Sequence, residues 1–129
     1  MSFTSLMPHL YCADLERAAA FYRDLLGGTQ TFRTPAEGSP EHVEIRLGDA
    51  MIALSSVEAV PRQGLPGPTA GHPMELDVWC ESADDAVATL RAAGTPVLVE
   101  PYLHLAGHRR AYVTDPDGNW IALVSEPGA

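Results

Sequence analysis

The first half of the chain alternates between helical and strand-like spacing of its apolar residues. Across residues 14–26, apolar side chains recur every three or four positions, which predicts an amphipathic helix that ends at Gly27. Residues 43–47 and 51–55 alternate apolar and polar side chains instead, with a short turn between them, which predicts a β-hairpin. The other predicted strands of this half are residues 6–12 and 29–34.

A segment rich in proline and glycine, residues 61–73, follows this half and predicts a connector without helix or strand. Beyond it the same order of elements returns. A second helix is predicted at residues 82–93, where Gly94 follows, and an Asp-Pro-Asp-Gly turn at residues 115–118 predicts a second hairpin. The predicted strands of this half are residues 74–80, 97–100, 109–114 and 120–125.

A nearly constant offset relates the two halves. Cys80 follows Cys12 by 68 positions, and the Ile-Ala-Leu tripeptide around Ala122 repeats that around Ala53 at an offset of 69. This duplication predicts an α+β fold of two tandem βαβββ modules, whose strands form a curved mixed sheet around a cavity, with the helices on its convex face. The predicted single domain spans residues 1–129, with modules at 1–60 and 74–129.

Composition narrows the classes of partner. The formal net charge is −9, from 17 acidic and 8 basic residues, so the chain lacks the clustered basic surface that nucleic acid binding requires. No stretch approaches the roughly 20 apolar residues of a membrane-spanning helix. The first residues lack the pattern of an export signal, which predicts a cytoplasmic protein whose Cys12 and Cys80 are reduced thiols.

Two motifs, one in each half, resemble those of a known family. Residues 14–18 read Asp-Leu-Glu-Arg-Ala and lead to Phe-Tyr-Arg-Asp-Leu-Leu-Gly at residues 21–27, while residues 115–123 read Asp-Pro-Asp-Gly-Asn-Trp-Ile-Ala-Leu. In this order they resemble the vicinal oxygen chelate superfamily, which includes glyoxalase I, extradiol dioxygenases and the bleomycin resistance proteins. The resemblance covers essentially the whole chain and implies paired βαβββ modules and a homodimer.

Metal-dependent members of that superfamily place four ligands, typically His and Glu, on the first and last strands of the two modules. The resemblance puts these positions at Met7, Ala53, Glu75 and Ala122. Alanine has no donor atom and a thioether suits soft copper, so only Glu75 could bind a hard divalent cation. The sequence therefore predicts no metal cofactor and no inherited catalytic residue.

Other polar and aromatic side chains are expected near these four positions. Because alternate residues of a strand share a face, His9 and Tyr11 accompany Met7. Asp77 accompanies Glu75 for the same reason. A histidine on a half-buried strand is more often a hydrogen-bonded side chain than a metal ligand. The two histidines near the second hairpin, His104 and His108, are expected in a loop or at the rim.

Residues of the two predicted hairpins complete the candidate site. The predicted cross-strand pairs are His42 with Ser55, Glu44 with Ala53, and Tyr112 with Ala122. Trp120 shares the face of Ala122, where a flat ligand could stack, although a core position or a dimer contact fits this residue equally well. The candidate ligand-binding residues are Met7, His9, Tyr11, His42, Glu44, Ala53, Glu75, Asp77, Tyr112, Trp120 and Ala122.

Two functions follow from this set. The preferred one is a binding protein of the bleomycin resistance type, which sequesters a small drug or natural product, aromatic or cationic, without a metal. The alternative is a metal-dependent lyase, isomerase or dioxygenase of the glyoxalase type. Its relocated metal site would use some of His9, His42, Glu44 and Glu75. The preference rests on the alanines at two of the four ligand positions, which remove charge and leave an apolar slot.

Overall fold

The computed structural model describes residues 2–128, which form two compact units with their boundary between Ala70 and Gly71. The boundary lies inside the predicted proline- and glycine-rich connector. Each unit contains one four-stranded mixed sheet, and the fold is α+β, as the sequence predicts. No helix among the described residues is long and apolar enough to cross a membrane.

The first unit has the predicted βαβββ order. Its sheet order is β1-β4-β3-β2, in which β1 runs parallel to β4 and the other neighbours are antiparallel. The elements are β1 (His9–Cys12), α1 (Leu15–Ala20), which continues as a π-helix (Phe21–Leu25), β2 (Thr29–Thr34), β3 (His42–Leu47), β4 (Ala50–Ser56) and a 3₁₀-helix (Val57–Gln63).

The second unit repeats this topology, so the predicted duplication is confirmed at the level of sheet order. Its strands are arranged β5-β8-β7-β6, again with the first and last strands parallel. The elements are β5 (Leu76–Trp79), α2 (Ala83–Ala92), β6 (Val97–Leu103), β7 (Arg109–Thr114) and β8 (Trp120–Ser125).

The helix of each unit begins at a side-chain cap and packs on one face of its sheet. In α1 the carboxylate of Asp14 accepts from the amide of Arg17, and in α2 the hydroxyl of Ser82 accepts from the amide of Asp85, each at 3.1 Å. Both helices contact the central strands of their own sheets. The strand residues that face a helix are therefore buried, and the alternate residues lie on a second, more polar face.

Three local features differ from the sequence interpretation. The helix predicted at residues 14–26 becomes a π-helix from Phe21 onward, where the amide of Leu26 bonds to the carbonyl of Phe21 at 3.0 Å. A 3₁₀-helix enters the predicted connector and contains Pro61. Strand β6 extends beyond residue 100 despite a proline, which an irregular edge strand accommodates.

Candidate ligand-binding faces

The first unit gathers five of its side chains on the face of the sheet opposite α1. The predicted pairs His42 with Ser55 and Glu44 with Ala53 are confirmed, and β1 adds the parallel neighbours His9 with Ala53 and Tyr11 with Ser55. Side chains on that face therefore come from three adjacent strands. We call this set, His9, Tyr11, His42, Glu44 and Ser55, the first polar face.

A chain of hydrogen bonds connects four members of the first polar face. The Nε2 atom of His9 lies 2.8 Å from the Oγ atom of Ser55, and the Nδ1 atom of His42 lies 2.7 Å from the same oxygen. The other ring nitrogen of His42 lies 2.9 Å from a carboxylate oxygen of Glu44. Ser55 is only 2% exposed, so its hydroxyl forms hydrogen bonds with the two imidazoles and not with bulk water.

An aromatic ring contacts each of the two histidines of this hydrogen-bonded chain. Tyr11 stacks on His9 with ring centroids 5.0 Å apart, and its hydroxyl donates to Gln63. Phe32 meets the edge of His42 at 6.1 Å. Desolvation, followed by repulsion from His42, lowers the pKa of His9 below its ordinary value, against the opposing attraction of Glu44. The His9 ring is therefore held as the neutral imidazole near neutral pH.

The second unit assembles its polar side chains around one guanidinium. Arg110 donates to Glu75 at 3.0 Å and to the hydroxyl of Tyr112 at 3.1 Å, and it lies 3.6 Å from Asp77. Arg110 and Tyr112 lie on β7, Asp77 lies on β5, and Glu75 immediately precedes β5. We call Glu75, Asp77, Arg110, Tyr112 and Trp120 the second polar face.

The Glu75 carboxyl responds more strongly to Asp77 than to Arg110. Hydrogen bonding to Asp77, desolvation and repulsion from Asp77 together raise the pKa of Glu75, although Arg110 acts in the opposite direction. Arg110 lies beside both of the predicted anionic contacts and offsets part of their charge. The second polar face therefore carries less net negative charge than Glu75 and Asp77 alone would give it.

Trp120 lies at the start of β8 and keeps part of its ring accessible. Its indole stacks on the imidazole of His72, with centroids 4.3 Å apart and planes 5° from parallel, and 37% of the residue is exposed. His72 is held in place by the carbonyl of Gly118, 3.1 Å from its Nε2 atom. This pair forms an aromatic surface next to the Asp-Pro-Asp-Gly turn.

The four positions that the family resemblance assigns to metal ligands, Met7, Ala53, Glu75 and Ala122, do not supply a set of metal donors. Ala53 and Ala122 are each 0% exposed and have no donor atom, and Met7 precedes β1 with a thioether. Among residues 2–128, no group of three or more His, Cys, Asp or Glu side chains is placed to hold a metal ion. The residues present do not fit the metal that the family resemblance implies.

Eight of the eleven predicted residues belong to the two polar faces, and Met7, Ala53 and Ala122 belong to neither. The structure adds Ser55, predicted only as a cross-strand partner, and Arg110, while His72 from the connector stacks on Trp120. Because Arg110 and Tyr112 are alternate residues of β7, the strand period alone places Arg110 on the same face as Tyr112. No sequence signal indicates the position of His72. The two alanines are fully covered, so the polar and aromatic side chains remain the candidate contacts.

The remaining histidines and the cysteines lie outside the two sets of residues. His104 and His108 stack on each other in the loop between β6 and β7, as the sequence predicts, and Arg110 donates to the Nε2 atom of His108 at 3.3 Å. The thiol of Cys12 donates to the carbonyl of Leu10. Desolvation raises the pKa of the Cys80 thiol, so this group stays protonated and unreactive at neutral pH.

Comparison with known proteins identifies one family. The model described as Glyoxalase/Bleomycin resistance protein/Dioxygenase superfamily matches residues 4–123. No curated protein matches the chain significantly.

Solved structures agree with that match at the level of the fold. A hypothetical protein, SA1046 from S. aureus, has 22% identity and a TM-score of 0.81, with 97% of this chain and 95% of that chain covered. A lactoylglutathione lyase from Agrobacterium tumefaciens has 22% identity and a TM-score of 0.72, with 95% and 92% covered. The fosfomycin resistance protein FosX from Listeria monocytogenes has 14% identity and a TM-score of 0.74, with 99% and 97% covered.

Proposed function

Because this chain belongs to the glyoxalase, bleomycin resistance protein and dioxygenase superfamily, we propose that it binds and sequesters a small organic molecule without a metal ion. The observation that carries this proposal is that Ala53 and Ala122, at two of the positions that the resemblance assigns to metal ligands, are fully buried and have no donor atom. A divalent cation needs three or four converging nitrogen or oxygen donors, and these positions supply one, Glu75.

The side chains around these positions suit ligand binding. The first polar face offers two imidazoles beside a tyrosine ring, and the second offers a partly exposed indole, a guanidinium and two carboxylates. Aromatic surface with a few convergent polar groups is typical of small-molecule sites. Two family associations agree with a resistance role: the family's own description includes bleomycin resistance proteins, and a fosfomycin resistance protein shares the fold. We propose a cytoplasmic homodimer as the working form.

The alternative is a glyoxalase-type enzyme with a relocated metal site. Its ligands would be drawn from His9, His42, Glu44 and Glu75, of which the first three belong to the first polar face. Both nitrogens of His42 already face Ser55 and Glu44 at hydrogen-bond distance, so recruiting His42 to a metal would break one of these bonds. The donor chemistry therefore favours the binding protein.

Metal analysis and a ligand screen together test the proposal. We expect protein purified without chelators to contain no stoichiometric Zn, Ni, Mn or Fe, and a thermal-shift screen of aromatic natural products to find stabilising ligands whose effect is unchanged by a chelator. Stoichiometric metal that is lost in Glu75→Gln together with a glyoxalase-type activity would show that the enzyme alternative is correct instead.

A further inference from the structure

The hydrogen bonds of the first polar face have a defined direction. A carboxylate only accepts, so the Nε2 atom of His42 carries the hydrogen that it shares with Glu44. In the neutral ring, the Nδ1 atom of His42 is then an acceptor, and the hydroxyl of Ser55 donates to it over 2.7 Å. A hydroxyl has one hydrogen, so the second contact of Ser55, at 2.8 Å, must be donated by the Nε2 atom of His9.

This direction determines what His9 presents to its surroundings. With its hydrogen on Nε2, the neutral ring has a bare lone pair on Nδ1. Among residues 2–128, nothing donates a hydrogen bond to that atom, and His9 is an exposed residue of β1. Tyr11 stacks on one side of the ring while its own hydroxyl donates to Gln63. The ring is therefore held in place by Ser55 and Tyr11 with one acceptor unused.

We infer that the Nδ1 atom of His9 accepts a hydrogen bond from the ligand and that the ligand is an aromatic alcohol of the phenol type. This inference rests on the proposed binding function and specifies its ligand class. The bare nitrogen requires a hydrogen-bond donor, which a carboxylate ligand lacks, and among flat aromatic ligands the phenol O–H is a more acidic donor than an amide or aniline N–H. The adjacent aromatic rings favour such a flat ligand. Glu44, through His42 and Ser55, is a positioning residue that keeps the acceptor on the outer nitrogen.

Imidazole nitrogen NMR of the protein without ligand tests the direction of the chain. Above the pKa of histidine, we expect His9 to carry its hydrogen on Nε2 alone. Ser55→Ala should convert this single tautomer to a mixture, because the acceptor of the Nε2 hydrogen is removed. Ser55→Thr retains a hydroxyl, so His9 should keep the single tautomer in this variant. Ser56→Ala makes the same substitution one residue further along β4, at a side chain that takes no part in these hydrogen bonds, and should leave the His9 tautomer unchanged. A hydrogen on Nδ1 of His9 in the wild-type protein would overturn the inference.

A matched pair of compounds tests the ligand class. We expect 2-naphthol to bind about tenfold more tightly than its methyl ether, 2-methoxynaphthalene, because the ether cannot donate. His9→Phe keeps a ring against Tyr11 but has no acceptor, so the two compounds should bind this variant equally.

The outcomes separate this inference from the proposed function. Equal binding of both compounds to the wild-type protein would overturn the acceptor role of His9 and leave a metal-independent binding protein. Binding of neither compound would overturn the phenol class, whereas the binding function itself would fail only if stoichiometric metal and activity were found.

Discussion

The pKa of Glu75, on the second polar face, is set by two neighbours that act in opposite directions, Arg110 and Asp77. Glu75 forms a 3.0 Å ion pair with Arg110, which by itself would lower its pKa. Hydrogen bonding to Asp77, desolvation and repulsion from Asp77 together reverse this direction and raise the pKa of Glu75. A carboxylate that is harder to ionise in the folded protein than in the unfolded chain destabilises the fold once it is charged.

Replacing Glu75 therefore has an effect on stability that depends on pH. Because folding raises the pKa of Glu75, its contribution is fully present below the ordinary pKa of glutamate and is lost as the pH rises through the raised value. We expect Glu75→Gln to match the wild-type protein in acid and to be more stable at neutral pH, as measured by urea unfolding. Asp77→Asn removes the same repulsion and serves as a parallel test. A less stable Glu75→Gln at neutral pH would mean that the ion pair with Arg110 dominates.

The aromatic surface at Trp120 makes a separate prediction about affinity. Trp120→Ala removes an indole that is 37% exposed and stacked on His72, so it should weaken a ligand found by the thermal-shift screen by about 1 kcal/mol or more. Tyr112→Ala should act in the same direction by calorimetry. Phe3→Ala is the control, because that ring is also exposed but precedes β1 and belongs to neither polar face. Unchanged affinity in Trp120→Ala would assign the residue a role outside ligand binding.

At the level of elements, the turn after the first helix depends on the absence of one side chain. A Cβ atom at Gly28 would lie 2.5 Å from the Cγ2 atom of Ile45 and 2.9 Å from the carbonyl oxygen of Tyr22. The amide of Gly28 bonds to that carbonyl at 3.0 Å, so backbone and core would both have to move. The close approach of this turn to β3 fixes where the π-helical end of α1 meets the sheet.

Gly28→Ala should consequently be destabilising although it adds one methyl group. Overpacking of this kind costs about 1–3 kcal/mol, which should be visible as a lower midpoint of urea unfolding. Gly67→Ala is the matched control, since a Cβ there meets no atom within 4 Å and its φ is not positive. Equal stability of Gly28→Ala and wild-type protein would show that Ile45 and the turn relax without loss.

Elements were more predictable from the sequence than the contacts between side chains. Alternation and turn residues determine register, so the pairs of His42 with Ser55 and of Tyr112 with Ala122 could be predicted before the structure. The partners of Arg110 could not, because a strand pattern places a charged residue on a face without showing which carboxylate it meets. The π-helix was also missed, since its apolar spacing resembles that of an α-helix over five residues.

For the whole molecule, the exposed apolar residues of the second unit bear on assembly. Strand β6 is at the edge of its sheet, and Leu98 and Leu103 on it are 50% and 62% exposed. Leu105, in the following loop, is fully exposed. An edge strand with large apolar side chains is a site where a second chain can pair, and natural proteins usually protect such edges with charge or cover. This arrangement supports the proposed homodimer.

Sedimentation velocity at micromolar concentration measures that assembly directly, and we expect the mass of a dimer. If β6 contributes to the interface, Leu103→Glu should shift the protein toward the monomer, because a carboxylate would have to be desolvated on association. Leu65→Glu is the comparison, since Leu65 is similarly exposed, at 52%, but lies in the connector, and it should leave the dimer intact. A wild-type monomer would refute the homodimer, and a dimer that is equally stable in both variants would place its interface away from β6.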